Sequence, residues 1–194
     1  MLVTVTGGSG SGKSEFAENL LLRLDGDGPP NRIYVATMEP YGEEGRRRIK
    51  RHRALRQGKG FETVECCRDL KSLVLAAKNG KRPSVLLECM SNLAANELYG
   101  GLSEEDGGAV KDGPEQGFLR AKQEILAGIQ GILSQAERLV VVTGEVFSDG
   151  LSYDPSTEQY RRLLGEVNRE LSARSDVFAE VVCSLPLYLK GGPL

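Results

Sequence analysis

The sequence predicts an α/β protein with a mostly parallel sheet, because short apolar runs alternate with segments of helical periodicity along its 194 residues. Two runs, at residues 2–6 and 138–143, are rich in Val and alternate little with polar residues, which is typical of strands buried on both faces. The first run leads directly into a glycine-rich turn and then into a helical pattern. Strands that alternate with helices indicate crossover connections, which parallel strands require.

The same periodicities predict the remaining elements in chain order. Phe16, Leu20 and Leu24 recur at helical spacing and predict a helix over residues 13–24. Short apolar runs predict further strands at 32–37, 61–65, 84–88, 180–183 and 188–190. Helices are predicted at 43–55, with a very basic face, and at 70–77, 93–98, 118–135 and 158–173. Residues 100–117 are rich in glycine and acid, which predicts a flexible loop within a single domain spanning residues 1–194.

The composition argues against several classes of partner. The chain has 25 Lys plus Arg against 27 Asp plus Glu, so it lacks the strongly basic face with which proteins neutralise nucleic-acid phosphates. Its four cysteines show no CxxC spacing, which favours reduced thiols over a zinc site. No stretch approaches the ~18 apolar residues that cross a bilayer, and no signal peptide is recognisable. We therefore expect a cytoplasmic protein with no membrane span.

A phosphate-binding P-loop is predicted between the first strand and the first helix. The pattern GxxxxGK[ST] is formed by Gly7, Gly8, Ser9, Gly10, Ser11, Gly12, Lys13 and Ser14. Backbone N–H groups and the positive end of the helix dipole would hold phosphate oxygens there. Lys13 is expected to reach the β- and γ-phosphates of GTP or ATP, and the Ser14 hydroxyl is expected to ligate Mg²⁺. The alternative is a glycine-rich turn that binds nothing.

An acidic side chain near the phosphates is expected to complete the magnesium site. Glu88 closes the apolar run at 84–88, and ligands of open α/β sheets gather at the carboxyl ends of strands. Glu88 is therefore the preferred ligand of magnesium and nucleotide, and Glu145, just past the run at 138–143, is the second candidate. Glu65 is also counted among the nucleotide-binding candidates. A solvated carboxylate at a strand end is the alternative for Glu88 and Glu145.

The single histidine, His52, lies in a basic segment at residues 46–53. Surrounding cations favour its neutral imidazole, which is a nucleophile able to attack the α-phosphorus of a nucleotide. The neighbouring Arg and Lys side chains would steady the phosphate charges. Composition alone favours a plainer interpretation, in which His52 is a solvated residue on an ordinary polar face.

Several motifs together resemble one enzyme family. They occur in the order VTGGSGSGKSEFAE at the start, YVAT at 34–37, RIKRH at 48–52, LLECMSNLAANEL at 86–98, TGEV at 143–146, then YRRLLGEVNREL and SLPLYLK. Through these motifs the chain resembles the bifunctional adenosylcobinamide kinase / adenosylcobinamide-phosphate guanylyltransferase family. The resemblance extends over nearly its whole length. The P-loop is shared with many NTPases, whereas YxAT followed by RIxxH and an [ED]C…N segment is more particular to this family.

The resemblance implies a RecA-like, three-layer α/β/α P-loop fold and two reactions. A kinase phosphorylates adenosylcobinamide with GTP or ATP, and a guanylyltransferase passes GMP from GTP, through a guanylylated histidine, to adenosylcobinamide phosphate. The family's histidine falls on His52, its acid on Glu88 and its asparagine on Asn96. The expected catalytic residues are therefore His52, Glu88 and Lys13. A homo-oligomer, expected to be a trimer, is also implied.

Two segments depart from the family's pattern. Residues 144–155 read GEVFSDGLSYDP where family members commonly have NEVGxGIVP, and SNLAAN at 91–96 lacks both threonines of TxxxTN. Two alternatives therefore stay open. One is a kinase of cobinamide or another small alcohol that forms no guanylyl adduct, and the other is a regulator that binds nucleotide without group transfer.

Overall fold

The fold is described from a computed structural model of the chain. The structure describes residues 1–26, 31–39, 42–43, 47, 50, 58–100 and 113–194. The basic helix predicted at 43–55, together with His52, lies almost entirely outside these residues. Positions 101–112 of the predicted flexible loop lie outside them as well.

The described strands form one seven-stranded sheet. Its strands are β1 (Leu2–Thr6), β2 (Arg32–Ala36), β3 (Phe61–Glu65), β4 (Ser84–Glu88), β5 (Arg138–Val142), β6 (Val177–Val182) and β7 (Leu185–Lys190). They lie in the order β3-β2-β4-β5-β1-β6-β7. Neighbouring strands are parallel throughout, except that β6 and β7 form an antiparallel hairpin. The predicted mostly parallel sheet is therefore confirmed, although Cys183 lies in the β6–β7 turn rather than in a strand.

Helices cover both faces of the sheet. The helices whose whole length is described are α1 (Lys13–Asp25), α2 (Met90–Tyr99), α3 (Pro114–Gln135) and α4 (Pro155–Arg174). Helix α1 packs on the face that carries Val5, Leu86 and Val140, whereas α2, α3 and α4 pack on the opposite face. Because both faces are covered, the central strands are apolar on both sides. This three-layer α/β/α arrangement with a mostly parallel sheet agrees with the one that the resemblance implied.

The segment at 70–77 differs from its prediction. Instead of an α-helix it forms a 3₁₀ turn at Leu70–Ser72 and then continues as extended chain. The Gln135 side chain satisfies the extended backbone, because its Oε1 accepts from the Leu75 N–H at 2.8 Å and its Nε2 donates to the Leu73 carbonyl at 3.0 Å. These bonds replace the internal hydrogen bonds that a helix would have made.

Three helices begin earlier than predicted, among them α2, which begins at Met90 rather than at residue 93. Helix α3 begins at Pro114, so residues 114–117 are helical rather than part of the predicted loop, and proline suits the first position of a helix. Helix α4 begins at Pro155 because Asp154 caps it, accepting from the backbone N–H groups of Ser156 at 2.9 Å and Thr157 at 3.1 Å. Among the described helices, none has the length and apolar character needed to cross a membrane.

The contact between α3 and the 3₁₀ turn predicts opposite effects for two glycine substitutions. A Cβ on Gly128 would lie 2.5 Å from the Cβ of the buried Leu70, so Gly128→Ala forces the two segments apart. Overpacking of this kind costs about 1–3 kcal/mol. Most of that range exceeds the ~1 kcal/mol by which alanine is favoured over glycine in a helix. We expect Gly128→Ala to lower the free energy of unfolding measured in urea.

The matched control is Gly117→Ala in the same helix, where no described atom lies within 4 Å of the added Cβ. This variant is expected to be as stable as the wild type or more stable. Equal stability of the two variants would contradict the predicted clash.

Candidate nucleotide-binding site

The glycine-rich segment between β1 and α1 forms a tight loop at the carboxyl edge of the sheet. Gly10 and Gly12 have φ values of 73° and 89°, in the left-handed region that glycine adopts without steric cost. Within the described chain, no side chain caps the N-terminus of α1, which begins at Lys13. The first N–H groups of this helix are therefore available to an anion.

The β6–β7 turn supports the loop from one side. The Ser184 N–H donates to the carbonyl oxygen of Ser11 at 2.8 Å. A Cβ on Gly12 would lie 2.6 Å from the Ser184 Oγ, and a Cβ on Gly7 would lie 2.6 Å from the carbonyl oxygen of Val181. A side chain at position 7 would therefore collide with the backbone of the hairpin, and one at position 12 would crowd Ser184 and be strained by the positive φ of 89°. The GxxxxGK[ST] pattern contains no sign of this support.

Lys13 extends back over the loop that precedes it. Its Nζ donates to the carbonyl oxygen of Gly8 at 2.9 Å, and the side chain is half-buried. A phosphate oxygen entering the loop would offer this ammonium a stronger, charge-assisted partner than a neutral carbonyl. The geometry agrees with the predicted contact to the outer phosphates, which stays a prediction.

Glu88 lies directly beside Ser14, although the two are far apart in the sequence. The Ser14 hydroxyl donates to Glu88 Oε1, and the Tyr34 hydroxyl donates to Glu88 Oε2 at 3.0 Å. Glu88 is only 8% exposed and Tyr34 only 3% exposed. A carboxylate buried to this degree needs such hydrogen bonds to offset its lost hydration. The contact also brings together two hard oxygen donors, the ligand type that Mg²⁺ prefers.

The other two acidic candidates face different surroundings. Glu145 Oε1 accepts from the Phe147 N–H at 2.8 Å and from the Ser148 hydroxyl at 3.0 Å, so this carboxylate stabilises its own loop. Glu65 is exposed at the end of β3, and β2, β4 and β5 lie between β3 and the P-loop strand. Of these carboxylates, the structure therefore places that of Glu88 against the P-loop, whereas Glu145 meets the loop through its backbone N–H, which donates to the Gly7 carbonyl at 3.1 Å. His52 lies outside the described residues.

The side chains of Thr37 and Asn96 form hydrogen bonds that link the segments following β2, β3 and β4. Thr37 Oγ1 donates to the Cys89 carbonyl and accepts from the Cys89 N–H, both at 2.8 Å. Asn96 Nδ2 donates to the carbonyl oxygens of Thr37 at 2.8 Å and Cys67 at 3.0 Å. These bonds hold the chain that follows Glu88. The YVAT motif and Asn96 drew attention in the sequence only by resemblance, and their partners could not be found there.

The cysteines near this edge of the sheet are neutral thiols at physiological pH. Burial raises the pKa of the Cys89 thiol, and the neighbouring Glu88 carboxylate raises it further. Burial is also the main cause that raises the pKa of Cys66 and of Cys67. Since the thiolate is the reactive form of cysteine, these three side chains are poor nucleophiles.

Comparison with known proteins shows similarity along almost the whole chain. The family described as cobinamide kinase / cobinamide phosphate guanyltransferase matches residues 3–189. The bifunctional adenosylcobalamin biosynthesis protein CobU of Escherichia coli K12 is 32% identical over 194 residues, covering 98% of this chain and 100% of that protein. The protein of the same name from Salmonella typhimurium LT2 is 31% identical over 195 residues, covering 98% of this chain and 100% of that protein. The bifunctional protein CobP of Pseudomonas aeruginosa is 28% identical, with 98% of each chain covered.

Two solved structures are also similar to the chain. The flagellar accessory protein FlaH from Methanocaldococcus jannaschii matches with a TM-score of 0.47 and 12% identity, covering 98% of this chain and 78% of that one. The ATPase domain of G40P matches with a TM-score of 0.47 and 10% identity, covering 92% of this chain and 68% of that one.

The double hydrogen bond between Thr37 and Cys89 predicts a difference between two substitutions of the buried threonine. Thr37→Val keeps the shape but leaves the Cys89 N–H and carbonyl without this partner, which costs about 1–3 kcal/mol. Thr37→Ser keeps the hydroxyl and loses one methyl group, which costs about 0.8 kcal/mol. We expect the valine variant to unfold at a lower urea concentration than the serine variant. The opposite order would show that packing of the methyl group matters more than the hydrogen bonds.

Proposed function

This chain belongs to the cobinamide kinase / cobinamide phosphate guanyltransferase family, and from that premise we propose that it performs both reactions itself. The proposed kinase reaction transfers the γ-phosphoryl group of GTP or ATP to the aminopropanol hydroxyl of adenosylcobinamide. The proposed second reaction transfers GMP from GTP to adenosylcobinamide phosphate and releases pyrophosphate. The observation that carries the proposal is the meeting of Ser14 and Glu88 beside an open helix N-terminus and Lys13.

In the kinase reaction, the P-loop would bind the triphosphate and Lys13 would meet its outer charges. The backbone N–H groups at the start of α1 supply donors, and the ammonium of Lys13 supplies a positive charge close to them. The Ser14 hydroxyl and the Glu88 carboxylate fit Mg²⁺, which proteins commonly hold through one or two carboxylates together with substrate phosphates. Bound magnesium would offset the negative charge of the phosphates.

Tyr34 would keep the Glu88 carboxylate in place during this reaction. Its hydroxyl donates to the second carboxylate oxygen, Oε2, and the Tyr34 ring is packed edge-on against Phe61 at 6.5 Å between centroids. A ring held on the neighbouring strand in this way restricts the carboxylate to few orientations. Such preorganisation lowers the cost of binding a metal–nucleotide complex.

For the guanylyl transfer, His52 is the proposed nucleophile. A neutral imidazole nitrogen would attack the α-phosphorus of GTP, form a P–N bond and release pyrophosphate. The phosphate of adenosylcobinamide phosphate would then attack the same phosphorus and free the histidine. This assignment is supported by the sequence, in which His52 is the single histidine and ends the RIKRH motif. A homo-oligomer in the cytoplasm is proposed on the same family grounds.

The whole proposal is tested by incubating the protein with adenosylcobinamide, GTP and magnesium and following products by mass spectrometry. Adenosylcobinamide phosphate and then adenosylcobinamide-GDP are the expected products. Lys13→Ala is expected to lower the turnover of the phosphorylation step about 30-fold or more, which corresponds to roughly 2 kcal/mol of lost charge stabilisation.

Lys78→Ala is the matched control for this measurement, because Lys78 is an exposed lysine paired with Glu62. Its turnover is expected to equal that of the wild type. Nucleotide binding by the wild type without any product from the corrinoid would favour a nucleotide-binding regulator instead.

The guanylyl transfer is tested separately with GTP labelled at the α-phosphorus. The wild type is expected to retain label in an acid-labile adduct, as a P–N bond to histidine requires, and His52→Ala is expected to retain none. Label that persists in His52→Ala would exclude this histidine as the nucleophile. Phosphorylation by a wild type that forms no adduct would select a kinase without the second activity, which the altered segment 144–155 favours.

A further inference from the structure

The chain that leaves β5 carries exposed apolar side chains at the carboxyl edge of the sheet. Phe147, Leu151 and Tyr153, named here the β5 loop cluster, are 37%, 61% and 39% exposed. They lie between the end of β5 and the start of α4. Large apolar side chains grouped at the edge where α/β proteins bind ligands indicate a binding surface.

The order of the strands places this loop between the two halves of the proposed kinase site. Strand β5 lies between β1, which leads into the P-loop, and β4, which ends at Glu88. The Glu145 N–H donates to the Gly7 carbonyl at 3.1 Å. On the other side, a Cβ on Gly144 would lie 2.6 Å from the Oγ of Ser91, in the first turn of α2. A group that accepts a phosphoryl from a nucleotide in the P-loop must approach this same edge.

Hydrogen bonds hold the loop in one shape even though its apolar side chains face solvent. The Asp149 carboxylate accepts from the Leu151 N–H at 3.2 Å and from the Tyr153 hydroxyl at 2.6 Å. Arg161 of α4 donates to the carbonyl oxygens of Leu151 and Phe147, both at 3.4 Å, and its guanidinium lies 5.1 Å from the centroid of the Tyr153 ring. A loop already ordered in this way loses little conformational entropy when a ligand binds.

The Phe147 ring is supported from the helix behind it. A Cβ on Gly165 of α4 would lie 3.4 Å from the ring, so the glycine lets the ring rest close to the helix backbone. Phe147 is thus fixed in position while more than a third of its surface stays open. Rigid aromatic groups with an open face are suited to contact a flat ligand.

We propose that the β5 loop cluster binds the corrin ring of the acceptor and so directs its hydroxyl toward the P-loop. This inference rests on the proposed function, since the acceptor is that of the kinase reaction. A corrin is a broad, flat, largely apolar ring with amide arms, and it needs an apolar surface much larger than a nucleotide base does. Ligand sites of this kind combine an apolar floor with a few polar groups. Here the Asp149 carboxylate and the Leu151 carbonyl lie beside the apolar side chains, and each already accepts a hydrogen bond within the protein.

The test is the affinity of the cluster variants for adenosylcobinamide, measured by calorimetry without nucleotide. The double variant Phe147→Ser with Leu151→Ser is expected to bind the corrinoid about tenfold more weakly or worse, because two apolar contacts are lost. Its KM for the corrinoid should rise by a similar factor. Its affinity for Mg·GTP should stay within about twofold of the wild type. Leu151→Ser alone, at the most exposed position, should show a smaller loss and an unchanged melting temperature.

Val74→Ser is the matched control, since Val74 is an exposed apolar residue, 85% accessible, in the segment after the 3₁₀ turn. It is expected to bind like the wild type. Wild-type corrinoid affinity in both cluster variants would overturn the inference and leave the proposed function intact. Loss of GTP affinity with intact corrinoid affinity would also overturn it, because the cluster would then serve the nucleotide. A wild type that neither binds nor phosphorylates adenosylcobinamide would overturn the inference and the proposed function together.

Discussion

A parallel sheet covered by helices on both faces is the constraint on which the other features of this molecule depend. Because β1 to β6 run in the same direction, their carboxyl ends meet at one edge of the sheet. The P-loop follows β1, Thr37 follows β2, Glu88 ends β4 and the β5 loop cluster follows β5. Polar groups and the P-loop therefore gather at this edge, while the faces between strands and helices remain apolar.

Charged and polar side chains also meet at the opposite edge of the sheet, where the parallel strands begin, but there they bind to one another. There the Asp25 carboxylate, at the end of α1, lies 2.7 Å from the Arg32 guanidinium and accepts from the Ser84 hydroxyl at 2.8 Å. Arg138 approaches the same carboxylate at 3.8 Å. These two ion pairs and one hydrogen bond link the end of α1 to the first residues of β2, β4 and β5. At the carboxyl edge, by contrast, the start of α1 is left uncapped by side chains of the described chain.

Polar residues at the carboxyl edge fall into two groups, those that hydrogen-bond neighbouring strands and those of the P-loop at the start of α1. Thr37 and Asn96 bond to backbone groups of neighbouring strands, and Tyr34 bonds to the carboxylate beside the P-loop. Lys13 and Ser14 stand at the start of the helix, where an anion would bind. A buried hydrogen-bond network of this kind is most stable when all of its members are paired. We therefore expect substitutions of Thr37, Asn96 or Tyr34 to alter the position of Glu88 beside the P-loop.

The sequence by itself determined the strand–loop–helix unit of the P-loop, the positions of β1 to β5 and the preference for Glu88, because each follows from neighbouring residues. Strands β6 and β7, by contrast, each begin three residues before their predicted starts. Only the tertiary structure decided which acid meets Ser14, how Ser184 supports the loop and what Thr37 bonds to. It also replaced the helix predicted at 70–77 with extended chain, whose backbone is satisfied by Gln135. The physical reason is that periodicity reports which face of a segment is buried, whereas a hydrogen-bond partner can come from any distant part of the chain.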